Sequence, residues 1–318
     1  MTAVWRWARS AAAVATLAFV VWRLGTGPFR DGVRAVDGRA LAAAAGIGVV
    51  TTLCCAWRWT VVARGLGVDL TLRTAVAGYY RSMFLNLTLP GGVVGDVHRG
   101  VSHGRNVRDV GRGLRAVAWE RAAGQLVQVV ITVAVLLALP SPVQASMPLA
   151  AAALAVVVAG VVLAGRVRPG GRRGRWARLR RTVAGDVRDA LVHRRALPVI
   201  ALASAVVVAG HAATFVIAAR TAGTDAPVSQ LLPLALLAML AMVLPSVAGW
   251  GPREGATAWA FAAAGLGADR GVATAVAYGV MVLVATMPGA LVLAGAWVPR
   301  PRSRPVAAVV PIDRGRDA

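Results

Sequence analysis

Long apolar runs separated by arginine-rich polar stretches set the rhythm of this chain. Residues 11–24, 40–63, 74–90, 116–139, 148–165, 196–219, 228–249, 254–267 and 271–298 are the candidate helical segments. A helix crossing the ~30 Å hydrocarbon layer needs about 20 apolar residues, so most of these are long enough to cross or nearly so. The segments 148–165, 196–219 and 271–298 contain no charged side chain at all. The pattern predicts an all-α polytopic membrane protein. Composition agrees: 58% of the residues are hydrophobic and only 15% charged, against about 25% charged in a soluble domain. A soluble globule or a disordered chain of this length is excluded, because neither could keep that much apolar surface from water.

Charge then sets the topology. The chain has 35 basic and 13 acidic residues, a formal charge of +22, and every basic residue is arginine. These arginines lie between apolar runs, which suits loops on anionic lipid and argues against nucleic acid. Eleven of them crowd 166–195, whereas 140–147 has none. By the positive-inside rule the first stretch is cytoplasmic and the second is not. Both flanks of 74–97 then fall on the cytoplasmic side, and both flanks of 228–267 on the other. Six full crossings plus two broken re-entrant hairpins, entering from opposite faces, place 25 arginines inside and 6 outside, with Arg58, Arg81, Arg121 and Arg253 in or beside the membrane. Both termini are cytoplasmic, and the expected location is the cell membrane. The transmembrane domain occupies 1–298, with 166–195 as a basic, amphipathic surface loop, and 299–318 reads as a disordered tail. Arg6 and Arg9 before an apolar stretch imitate a secretory signal, but a retained first helix fits the continuing spans better.

The hairpins hold the breakers and the chemistry. Pro90, Gly91, Gly92 and Gly95 interrupt the first, and Pro245, Gly249, Gly251 and Pro252 the second. Irregular backbone at membrane depth survives only where protein or water satisfies it, and paired Gly/Pro breaks in two halves point to a transporter's central site. Leu89-Pro90-Gly91-Gly92 followed by Asp96 and Arg99 stands against Leu244-Pro245 followed by Gly249, Gly251, Arg253 and Glu254. The candidate polar residues are Asp96 with Arg99, Glu120 with Arg121, and Arg253 with Glu254. Each pair has a plainer reading as an ion pair that locks the fold. A helix starting at Pro252 would aim free amides at an anion such as phosphate. Cys54 and Cys55 read as small apolar filler. His98 and His103 sit in a basic loop without a metal-ligand set, and His211 reads as hydrogen-bonded to a neighbouring helix. Trp5, Trp7, Trp22, Trp57, Trp59 and Trp297 read as interfacial anchors. No metal or cofactor is implied.

The stretch Tyr80–Arg99, with Asn86, Pro90, Gly91, Gly92, Gly95, Asp96 and Arg99, resembles the N-x-x-x-P-G-G-x-G-G-D-x-x-R signature of the lysylphosphatidylglycerol synthase transmembrane-region family, also called flippase-like membrane proteins. Ala118-Trp119-Glu120-Arg121 looks like that family's E-R motif, and Leu244–Gly255 like its P-x-x-x-G-G-x-G-x-R-E segment. Val94 stands where the family usually has glycine, and Trp250 interrupts the second glycine-rich turn. The resemblance implies a lipid-handling membrane region without the soluble synthase domain. It points to a lipid flippase or transporter, with Asn86, Pro90, Gly91, Gly92, Gly95, Asp96, Arg99, Glu120, Arg121, Pro245, Gly249, Gly251, Arg253 and Glu254 lining the substrate site. The partners so implied are an anionic phospholipid or a polyprenyl-phosphate-linked substrate, and a synthase or glycosyltransferase that works with the protein. Two alternatives stand beside it. One is a membrane-embedded enzyme with Asp96 or Glu254 as base, for which no nucleophile–base pair is visible. The other is a scaffold recruiting a partner enzyme through 166–195.

Overall fold

The computed structural model describes residues 18, 21, 22, 24–89, 92–166, 175–244 and 250–297, and the regular elements among them are helical. In order they are α1 (Gly27–Arg34), α2 (Gly38–Gly65), α3 (Leu72–Thr88), α4 (Val94–Asn106), α5 (Val110–Ala138) and α6 (Met147–Arg166), then α7 (Arg175–Asp186), α8 (Ala196–Thr221), α9 (Val228–Ala241), α10 (Pro252–Ala263), α11 (Ala268–Thr286) and α12 (Pro288–Trp297). Five apolar stretches, 38–65, 110–138, 144–163, 196–221 and 268–295, are long enough to cross a membrane. The expected first span, 11–24, lies mostly outside the described residues, as do Pro90, Gly91, Pro245, Gly249 and the tail.

Local chemistry explains where these helices begin. Asp37, Thr71 and Asp109 cap α2, α3 and α5, each side chain accepting the amide N–H three residues on, which satisfies donors that the first turn leaves open. The long helices then pack through small residues, as lipid-embedded helices do where close approach is the main source of attraction. Helices α2 and α8 run antiparallel: Gly210 lies against Thr51 and Ile47, and Ser204 reaches Arg58. Around their opposite ends Phe215, Phe261, Tyr278, Leu231 and Leu234 form a buried core with Ala40 and Ala44.

The two hairpins are half-length. At 1.5 Å per residue, α3 and α4 reach about 26 and 20 Å, and α9 and α10 about 21 and 18 Å, all short of a full hydrocarbon layer. Helix α3 starts beside the C-terminal end of α2, where Gly78 touches Trp59, meets the middle of α2 through Met83 and Thr52, and ends at Thr88. Helix α4 returns to the same end, so that His103 again meets Trp59. The second hairpin enters from the other end of α2 and α8. Met239 reaches the level of Val208, and α10 brings Phe261 back to Phe215 while Gln230 bonds the Ala264 carbonyl.

Several boundaries differ from the sequence reading. The stretch 98–115, expected to be a loop, contains the second arm of the first hairpin and the first turns of α5. Two of its polar residues misled the hydropathy pattern because they are paired or stacked inside the protein, Arg99 at 1% and His103 at 6% exposed, while His98, Arg105 and Arg108 stay exposed. Trp59, expected as an interfacial anchor, is buried, whereas Trp22 and Trp57 are exposed. The last span is divided at Met287, where α11 gives way to α12. The basic segment holds helix α7 and a π-helical turn, Val187–Leu191, whose Ala190 packs on Gly65 of α2.

Candidate functional site

Five helices bring a charged cluster together on the first hairpin. Arg58 of α2 donates through Nε (2.9 Å) and Nη2 (2.5 Å) to Glu120 Oε1 of α5, and through Nη1 to Ser204 Oγ of α8 at 2.8 Å. Arg99 of α4 donates through Nη2 to Glu120 Oε2 and to Asp96 Oδ1, both at 3.0 Å. Arg121 meets Asp96 Oδ2 at 2.5 Å. The hairpin's other arm completes the set: Tyr79 Oη donates to Glu120 (3.1 Å), Ser82 Oγ to Asp96 (2.9 Å) and Asn86 Nδ2 to Asp96 (3.0 Å). Asn86 Oδ1 in turn accepts the Gly95 N–H at 2.7 Å. The guanidinium of Arg99 is stacked between Trp59 and Tyr79, at 4.5 and 4.2 Å from the ring centroids, an arrangement that favours a cation away from water.

Three guanidinium groups (Arg58, Arg99, Arg121) thus face two carboxylates (Asp96, Glu120). Glu120 and Arg99 are closed off, whereas the Arg121 side chain is 45% and that of Asp96 12% exposed. The open edge of the cluster therefore carries Arg121 and part of Asp96. Beside it the exposed apolar residues Val93, Val94 and Val97 line the start of α4. Gly92 adopts φ +65°, a left-handed turn conformation that glycine reaches without penalty.

The second hairpin builds a smaller, balanced pair. Arg253 donates through Nε (2.9 Å) and Nη2 (2.5 Å) to Glu254 Oε1, and Glu254 Oε2 accepts the Gly251 N–H at 2.6 Å. Gly251 holds φ +114° at the start of α10, a conformation that strongly favours glycine. Glu254 therefore supplies its own carboxylate to the helix N-terminus that the sequence reading offered to a phosphate. Arg253 lies 5.5 Å from both the Trp250 and Tyr278 rings, and Tyr278 Oη shares a 2.9 Å hydrogen bond with His211 Nδ1. His211 thus meets a neighbouring helix. A Cβ on Gly279 would sit 2.5 Å from Arg253 Nη2, and one on Gly124 2.8 Å from Arg58 Cζ. In both halves a buried guanidinium lies against a helical glycine because nothing larger fits.

Of the residues expected at the site, Asn86, Gly95, Asp96, Arg99, Glu120 and Arg121 come together, while Gly251, Arg253 and Glu254 form the separate second group. Arg58, Tyr79, Ser82 and Ser204 join the first group and Tyr278 the second, although no sequence motif marks them as site residues. Only Arg58 left a signal, a lone charge inside the apolar run 40–63. Cys55, read as filler, also lies 3.8 Å from Arg58 Nη2 through its sulfur. Among the described residues no three His, Cys, Asp or Glu side chains gather as a metal site. Exchanging Arg253 for lysine should lower stability by about 1–3 kcal/mol, since an ammonium cannot make both bonds to Glu254 or stack equally on Tyr278. Thermal unfolding in detergent measures it, and an unchanged midpoint would contradict the pairing.

A search of curated proteins finds no match to the chain. With residues 6–289 matched by the family model described as the lysylphosphatidylglycerol synthase TM region, this multi-pass membrane protein belongs to that family.

Proposed function

We propose that the protein moves a polar, phosphate-bearing lipid headgroup between the leaflets of the cell membrane, with Arg121 and Asp96 at the point of contact. The observation that carries this reading is the charge imbalance of the first cluster: three arginines against two carboxylates, with the surplus next to the half-exposed Arg121. An uncompensated cation at hydrocarbon depth is costly, by roughly 2.5–3.5 kcal/mol on insertion scales, and an anion that stays with it relieves the cost. A guanidinium suits a phosphate oxygen pair by shape as well as charge. The apolar flank of Val93, Val94 and Val97 would accept acyl chains while the headgroup meets Arg121. The Arg253–Glu254 pair, neutral and closed, serves in this reading to hold the second break in shape.

In this proposal the Arg-rich 166–195 side is cytoplasmic together with both termini. The role is transport and not catalysis, and a separate synthase or glycosyltransferase makes the lipid. Reconstitution in vesicles with fluorescent phosphatidylglycerol and a membrane-impermeant quencher tests it. Arg121→Gln should slow leaflet exchange by about tenfold or more, the loss of one charge-assisted contact. Exchange equal to wild type and well above empty vesicles would remove Arg121 from the mechanism.

A further inference from the structure

The cluster of α2, α3 and α4 has a second face that the proposed headgroup contact does not use. Arg99 spends Nη2 on Asp96 and Glu120, yet its Nε and Nη1 have no partner although the residue is 1% exposed. Trp59, whose ring covers that guanidinium at 4.5 Å, has an unpartnered Nε1 and is 2% exposed. One turn along α4 from Arg99, His103 packs edge-on against the same Trp59 ring at 5.5 Å, 6% exposed, with Nε2 unpartnered. Native proteins leave few such groups unsatisfied, and three neighbours doing so together call for a common explanation. Trp59 Nε1 and the two guanidinium nitrogens can only donate, and His103 Nε2 donates in the matching tautomer. What they lack is an acceptor.

From this geometry we infer a second anion site, formed by Trp59, Arg99 and His103 between α2 and α4, that takes a phosphate oxyanion. The guanidinium supplies charge and a planar set of donors, the indole and imidazole supply neutral N–H groups, and the surrounding rings exclude water. The site lies toward the end of the bundle where both arms of the first hairpin open, one to two turns along α4 from Asp96. A lipid headgroup and free phosphate share the required chemistry. The site shares Arg99 with the charge surplus of the transport reading, but it uses the donors of Arg99, Trp59 and His103 that Arg121 does not touch, so the two readings can fail separately.

The full chain in detergent micelles, with its tryptophan indoles labelled with nitrogen-15, provides the test, and Trp59→Phe assigns the Trp59 resonance. Inorganic phosphate and dihexanoyl-phosphatidylglycerol are titrated separately, with sodium chloride at matched ionic strength as the reference. The Trp59 N–H signal should shift saturably with one of the two phosphates, and whichever acts identifies the source. His103→Gln should weaken that response about tenfold, the loss of one hydrogen bond to an anion, while Arg121→Gln leaves the Trp59 response in place even where leaflet exchange falls. A signal that neither phosphate moves, or that chloride moves equally, would overturn the site and assign those donors to water. The wild-type titration alone decides this if the His103 variant does not fold.

Discussion

Replacing Glu120 by alanine should cost about 3–5 kcal/mol of folding stability, the loss seen when one member of a buried ionic network is removed. Glu120 is fully buried and holds three partners, Arg58 from α2 and Tyr79 and Arg99 from the two arms of the first hairpin. Alanine would leave Arg58 with no carboxylate and Arg99 with Asp96 alone, and both guanidinium groups are buried away from water. Glu120→Gln should fall between wild type and alanine, because its amide oxygen still accepts from Arg58 but its NH2 opposes Arg99. Asp109→Ala is the contrast. That residue pairs with Arg112 at 3.3 Å, but both side chains are over two-fifths exposed, so apart from the lost helix cap the pair contributes only about 0–1 kcal/mol. Unfolding by heat or denaturing detergent in mixed micelles measures all three. Equal losses for Glu120→Ala and Asp109→Ala would mean that the cluster is solvated in the folded protein.

That cluster also shows what a sequence can and cannot disclose. Hydropathy located the long helices because a span must be apolar along most of its length, and the absence of charge in 196–219 leaves little other choice. Arginine asymmetry suggested two segments that return to the side they enter, and the half-length hairpins have that geometry: Gly78 and His103 both meet Trp59 at one end of α2. The same logic failed for 98–115, because hydropathy counts a charge as wet whether or not it has a partner. Arg99 and His103 looked like loop residues although each packs against Trp59. Trp59 is 40 positions from Arg99 and 44 from His103, and although Asp96 is local to Arg99, nothing nearby in sequence announces the ring that covers it. Arg58 is the instructive miss. It stood alone in an apolar run, which is costly enough to demand a partner, but Glu120 lies 62 positions on and Ser204 146. Ser82, Tyr79 and Ser204 carry no charge, so only the fold shows that their hydroxyls point at the network.

Gly95→Val should separate the two arms of the first hairpin and lower stability by about 3 kcal/mol or more, the upper range for forcing bulk into a packed contact. The reason is space and not backbone conformation. A Cβ on Gly95 would collide with the carbonyl of Ser82 in the facing arm, and backbone cannot rotate aside as a side-chain tip can. The displaced segment also carries the Gly95 N–H that Asn86 accepts and the Asp96 carboxylate that Ser82, Asn86, Arg99 and Arg121 share. Alanine at this position should already be harmful, which separates it from ordinary helix glycines. Gly111, on the exposed first turn of α5, provides the comparison: its nearest neighbours to a new Cβ are side-chain atoms at 3.5 and 3.8 Å, and Gly111→Ala should be neutral or stabilising by up to ~1 kcal/mol. Unfolding midpoints of Gly95→Ala, Gly95→Val and Gly111→Ala in the same detergent give the ordering. If Gly95→Val matched Gly111→Ala, the two arms could not pack as closely as the Ser82 contact requires, and Asp96 would lose the support that positions it beside Arg121.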